Sequence, residues 1–352
     1  MSGTNSRRVA AVLALVLLPA SLIASEIGRF IADQVDVNSY RNYLDNELYT
    51  RTGHNRGMSG AQHDLARDRI AAHFQSFFLD VQLQEFRYGG QQGENVIATQ
   101  RGTKYPGAMF IIGAHYDSVN NPGADDDASG VAGLLEIARV LSQYETEFTV
   151  RYIAFDMEEL GLIGSDYYVN THRGDDIRGM IQLDMIAYSG GYRATRIYGR
   201  SSSEPLKSQL KAALDEYGRG LSTSIRGSMD ASDHAPFEWA GYKACLLIED
   251  RFNNNPCYHR SCDTVDTQNY IDYVFAADMV RSVAGFLADY AVVILPPPCP
   301  GDLNGDAFVG QADLAILLAA WGTGAGGDLD GDGDTDQADL AILLAHYGET
   351  CN

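Results

Sequence analysis

Four short apolar runs constrain this chain more than any other feature: MFIIGA (109–114), VRYIAF (150–155), MIQL (180–183) and KACLLI (243–248). Each is continuous rather than alternating, the pattern of a strand buried on both faces. Helix-length stretches separate them at 129–144, 163–170 and 204–217, with others at 59–78 and 268–290. VQLQEF (81–86) and ENVIATQ (94–100) alternate instead, as antiparallel strands do. This order predicts an α/β fold: a three-layer sandwich around a mixed, mostly parallel central sheet. Hydrophobic residues make up 45% of the 352, enough for a sizeable core.

In open α/β sheets, ligands gather beyond the C-terminal ends of the strands. Each apolar run here delivers ionisable residues to that edge. The first leads to His115 and Asp117, the second to Asp156, Glu158 and Glu159, the third to Asp184, and the fourth to a loop with His259. PGADDDASG (122–130) adds three consecutive Asp. Two His and at least three carboxylates exceed what one zinc takes, and they fit two ions joined by a bridging carboxylate. The Glu158–Glu159 pair can divide its work, one ligating while the other serves as base. Spacing does not choose among Asp125, Asp126 and Asp127, and His234 competes with His259. The Asp residues that do not ligate are expected at a turn or helix N-terminus. Asp156 reads as a salt-bridge or strand-end residue. His54, His63, His73, His172 and His346 read as surface or structural.

GAHYDS, PGADDDASG, EELGLIGS, QLDM and NPCYHRSCDT follow one another in order over about residues 40–290. Together they resemble the five signature segments of secreted co-catalytic zinc aminopeptidases of the bacterial leucyl-aminopeptidase type. The resemblance implies two zinc ions, with His115 and Asp184 on one, Glu159 and His259 on the other, and Asp126 bridging. It implies Glu158 as general base, Asp117 as the partner that orients His115, and removal of N-terminal residues from peptides with a free N-terminus. That family carries a cysteine pair and a tyrosine before its SDH segment. Here GSMDASDH (227–234) has Gly227, Met229 and Ala231 at those places, so side-chain preference does not carry over. A carboxypeptidase-like or glutaminyl-cyclase-like relative would share the fold. A catalytically inactive, calcium-stabilised binding protein is the reading from another class.

Residues 300–352 hold ten acidic side chains and no Lys or Arg. A repeat explains this. QADLAILLA occurs at 311–319 and 337–345, each copy completing an acidic segment, DLNGDAFVGQAD (302–313) or DLDGDGDTDQAD (328–339). Side-chain oxygens at positions 1, 3, 5 and 12 and a carbonyl at 7 make an EF-hand-type calcium loop. The first loop offers Asp302, Asn304, Asp306, the Phe308 carbonyl and Asp313. The second offers Asp328, Asp330, Asp332, the Asp334 carbonyl and Asp339. Ala307 stands where glycine normally makes the sharp turn, which predicts weaker binding there. PPPCPG and GTGAGG permit no entering helix. Duplicated loop–helix halves of this kind resemble a dockerin type I module, a small all-α domain built on two calcium ions. Leu314, Leu317, Leu318 and Trp321 share a helix face, and Leu340, Leu343, Leu344 and Tyr347 repeat it, so the halves should pack together. The resemblance implies a cohesin-like or cell-surface partner.

Arg7 and Arg8 precede a ten-residue apolar run at 9–18, the layout of a secretory signal peptide over residues 1–24. The run is shorter than a membrane span, so no span is expected after cleavage. Residues 25–294 then form the zinc domain, 295–300 a proline-rich linker and 301–352 the calcium module. Export permits disulfides, and Cys257–Cys262 and Cys299–Cys351 are the expected pairs, with Cys245 free. A formal charge of −21 argues against nucleic-acid binding.

Overall fold

The computed structural model describes residues 20–294, 300–306, 308–322, 326–330 and 333–351. Expectations resting on residues 1–19, 295–299, Ala307 and Asp332 lie outside these, as does the Cys299 end of the second expected disulfide.

Helices α1 (Ala20–Asp33), α2 (Val37–Asn42) and α3 (His63–Ser76) precede a hairpin of β1 (Asp80–Tyr88) and β2 (Gln91–Gln100). There follow β3 (Tyr105–His115), α4 (Ala128–Leu141), β4 (Glu145–Thr146), β5 (Phe148–Phe155), α5 (Ile163–Thr171) and β6 (Asp176–Leu183). Next come β7 (Ala194–Tyr198), α6 (Glu204–Tyr217), β8 (Ser222–Ile225), α7 (His234–Trp239) and β9 (Ala244–Glu249). The domain closes with α8 (Tyr273–Leu287) and β10 (Val293–Ile294), and α9 (Gln311–Ala320) and α10 (Gln337–Ala345) form the tail.

Eight strands make one sheet in the order β1-β2-β5-β3-β6-β9-β7-β8. Strands β5, β3, β6 and β9 run parallel at its centre, and β1, β2 and β7 enter antiparallel. The expected mixed sheet is therefore present. Its central strands are continuous apolar runs because both faces are covered. On β3, Phe110, Ile112 and Ala114 join the core beneath α4, α6 and α8, while Met109 and Ile111 join Tyr168 of α5 and Phe237 of α7 on the other face. At period two, one strand serves both layers.

Two helices begin later than periodicity predicts. Helix α3 starts at His63, because residues 57–62 form turns. Helix α8 starts after Asp272, whose carboxylate accepts the Phe275 N–H at 3.0 Å and caps it. In the tail, Leu317 and Leu343 are buried with Val309, and Leu314 and Leu340 pack against them. The rest of the expected face is not covered: Leu318 and Leu344 are each 53% exposed, Trp321 40% and Tyr347 47%. Two short helices enclose only one line of side chains between them. Among the described residues, no helix is long and apolar enough to cross a membrane.

Candidate metal centre

The four central parallel strands end side by side, which brings the predicted residues to one edge of the sheet. His115 is the last residue of β3. Glu158 and Glu159 follow β5, Asp184 follows β6, and His259 lies in the loop after β9. Met157, Met185 and His259 have φ of 57°, 50° and 57°. Backbone in this left-handed region is uncommon for bulky residues and gathers at functional sites. The Cys257–Cys262 disulfide, as expected, clasps the loop that carries His259, and Cys245 is buried and free.

The geometry chooses among the three consecutive Asp. His115, Asp126 and Asp184 form one donor group, and Asp126, Glu159 and His259 form a second. Asp126 alone is common to both. Its Oδ1 lies 3.3 Å from His115 Nε2, and its Oδ2 lies 3.1 Å from His259 Nε2. Glu159 Oε2 is 3.3 Å from the same His259 nitrogen. Asp126 Oδ2 and Glu159 Oε1 are buried and accept no hydrogen bond. Donor atoms this close make the cluster a candidate metal site.

The neighbouring acids hold the backbone, as their type predicts. Asp127 caps α4 by accepting the Gly130 N–H at 2.9 Å, and it also accepts the His115 and Met185 N–H groups. A Cβ at Gly130 would stand 2.5 Å from that carboxylate, so the turn needs glycine. Asp125 accepts the Ala187 N–H at 2.8 Å and Asn255 Nδ2 at 2.8 Å. Asp156 pairs with buried His63 at 2.8 Å. His234 is buried outside both donor groups, and burial lowers its pKa to about 4, so it is neutral and structural.

Asp117 does more than orient His115. His115 Nδ1 lies 3.2 Å from the Asp117 carbonyl and 3.4 Å from its carboxylate. A carbonyl only accepts, so Nδ1 is the donor there, and Nε2 is the nitrogen that faces Asp126. The Asp117 carboxylate meanwhile accepts the Glu158 and Glu159 N–H groups, each at 3.1 Å. It fixes the acid pair against the histidine strand.

Three supporting residues were not anticipated. Asp263 accepts the N–H groups of Asp125 and Asp126 at 2.7 and 3.1 Å, and it is the one acid in NPCYHRSCDT. Ser232, in the SDH segment, donates to Asp184 at 2.6 Å. Arg56, wholly buried, donates to the carbonyls of Tyr116, Pro122 and Gly123 at 2.8, 2.9 and 2.6 Å. Nothing near Arg56 in the sequence marks this role, because its partners are all backbone.

So many buried acids disturb one another. Burial pushes Asp184 up to about 7, against the pull of His115. Burial likewise holds Glu158 well above the usual carboxylate range. Burial works to raise Asp126 as well, but the two imidazoles outweigh it and the net shift is downward. The Asp126 and Glu159 carboxylates lift His259 to about 10. A cavity of about 70 Å³ opens over the cluster, lined also by Met185, Met229, Ala231, Ile248, Phe252 and Tyr258.

Residues 95–284, which carry all of these donors, match the family model for Peptidase family M28. The chain belongs to peptidase family M28. Its M28 segment is 32% identical over 192 residues to aminopeptidase YwaD of Bacillus subtilis, covering 51% of this chain and 41% of that protein. The chain spans about half the length of the curated relatives it matches. The M28 fold here is similar to that of the LapA aminopeptidase of Legionella pneumophila, with a TM-score of 0.66 and 20% identity over 76% of this chain and 75% of that one. It is also similar to glutaminyl cyclase of Porphyromonas gingivalis, with a TM-score of 0.62 and 24% identity over 73% and 99%.

Among the described residues the tail holds an acidic group in each loop at the expected positions, Asp302–Asp306–Asp313 and Asp328–Asp330–Asp339, and in the second loop also Asp334–Asp336–Asp339. The position-12 acids have a second task. Asp313 accepts the N–H groups of Leu303, Asn304 and Gly310 at 2.9, 3.0 and 2.8 Å. Asp339 does the same for Leu329, Asp330 and Asp336 at 2.5, 3.2 and 2.7 Å. Each closes its own loop onto the following helix.

Proposed function

We propose that this M28 chain is a secreted aminopeptidase that uses two zinc ions. One observation carries the reading: two complete donor groups share the single carboxylate of Asp126. The donor set fits zinc, which takes imidazole and carboxylate together, and the buried oxygens of Asp126 and Glu159 that accept no hydrogen bond suit ligation of a cation. His115 and Asp184 would hold one ion, Glu159 and His259 the other, and Asp126 both. Ions bound there would supply Lewis acidity, acidifying a water and polarising a peptide carbonyl. Glu158, in the cavity wall but outside both donor groups, takes the proton of the attacking water and returns it to the leaving nitrogen. Asp117 keeps Glu158 and Glu159 in place through their N–H groups. Met185, Met229, Ala231, Ile248 and Phe252 suit an apolar N-terminal side chain.

The tail acts as a dockerin-like module that binds two calcium ions and docks to a cohesin-like or cell-surface partner. The two acidic groups and the paired Leu317–Leu343 core support it. Secretion is supported by the leader-like start and by the Cys257–Cys262 bridge, since disulfides persist in oxidising compartments.

The test is a panel of free and N-acetylated peptides, with and without chelator. Release of the first residue from free peptides alone, abolished by chelator, is expected. Cleavage of acetylated peptides would overturn the aminopeptidase reading, and pyroglutamate formation from N-terminal glutamine without hydrolysis would favour the cyclase reading.

A further inference from the structure

A second cavity, of about 280 Å³, lies next to the metal cluster and is used by nothing described so far. Glu159 lines both cavities. The new one is formed by the turn at Met58 and Ser59, the start of β2 at Gln91, the loop after β3 from Asp117 to Asn120, and Leu160. We infer that this cavity is the subsite for the second residue of the peptide, the one whose nitrogen leaves. The inference rests on the aminopeptidase reading and deepens it.

The small first cavity contains the donors and Glu158, so the first residue and the scissile bond belong there. The leaving nitrogen takes its proton from Glu158, so the second residue must begin beside that carboxylate. Chain continuing past Glu158 and Glu159 reaches Leu160, 44% exposed, and the second cavity. Its wall sets the chemistry it accepts. Met58, Val119 and Leu160 offer apolar surface, and Ser59, Gln91 and Asn120 offer neutral polar groups. Asp117 and Glu159 are its charged members, and it has no Lys or Arg. An apolar or amide side chain fits this wall, and an acidic one would give up water against Met58, Val119 and Leu160 with no Lys or Arg among the lining residues to pair it.

The test uses Leu-Xaa-Ala tripeptides and the full chain loaded with zinc. In the unaltered protein, kcat/KM for Xaa = Leu or Gln should exceed that for Xaa = Asp or Glu by about tenfold. Leu160→Arg should erase or reverse that ratio while the preference for the first residue and the zinc content stay as they were. Gln91→Arg, on a separate element, should move the ratio the same way and covers the case in which Leu160→Arg misfolds. Release of leucine at rates indifferent to Xaa, in the unaltered protein and both variants, overturns the subsite alone. Failure to release leucine from any tripeptide overturns the aminopeptidase reading and the subsite with it.

Discussion

Asp126 turns one oxygen toward each histidine, and everything around it keeps it there. Asp263 holds its N–H, and Arg56 ties down the loop before it through three carbonyls. Asp126→Ala should therefore lower zinc content on both sides of the site, to one ion or fewer per chain by metal analysis. Glu158→Ala should behave differently. It should cut kcat by about 10²–10⁴-fold while leaving the zinc content unchanged, because Glu158 belongs to neither donor group. A rate unaltered by that change would remove Glu158 from the mechanism. Arg56→Ala leaves three buried carbonyls without a donor. It should cost on the order of 3–5 kcal/mol, seen as a lower midpoint in denaturant unfolding.

At the scale of elements, the central strands and the β1–β2 edge were readable, and the β7–β8 edge was not. MFIIGA, VRYIAF, MIQL and KACLLI are apolar throughout because β3, β5, β6 and β9 are covered on both faces, and burial writes itself directly into sequence. Strands β7 (ATRIY) and β8 (STSI) escaped notice, being short, half-buried and partly polar at the sheet margin. Most of the candidate donors were legible because they follow readable strands, His115 ending β3 and Glu159 and Asp184 coming soon after β5 and β6, yet the choice of Asp126 over Asp125 and Asp127 needed the fold. Those three carboxylates differ only in direction, and direction is set by Asp263, Met185 and Ala187, far away in sequence. In the tail, periodicity foretold the helices but overstated what they bury, since spacing marks a face without saying how much of it a partner covers. Closing of each acidic loop by its own Asp predicts that calcium tightens the pair. Limited proteolysis of the full chain should show residues 301–351 protected by calcium and cut after chelation. Equal cutting in both conditions would contradict the paired-loop account.

For the whole molecule, charge and metal are two views of one property. Much of the −21 sits in the proposed cation-binding groups, and within the buried centre burial favours the protonated form of Asp184 and Glu158. Asp184 near 7 and His259 near 10 are both raised, so each is largely protonated at pH 6 and must lose its proton before it ligates. Zinc affinity should then rise with pH through about 7 and on toward about 10, and fall away below about 7, with protons released on binding. Equilibrium dialysis from pH 5 to 8, with calorimetry in two buffers of different ionisation heat, checks both. Uptake independent of pH would contradict the assigned ligands.

The most direct measurement is anomalous X-ray scattering at the zinc edge from crystals of the zinc-loaded, calcium-saturated chain. Two zinc peaks are predicted, one beside His115 and Asp184 and one beside Glu159 and His259, about 3.5–4 Å apart with Asp126 between them. A single peak, or two peaks that do not share Asp126, would contradict the account.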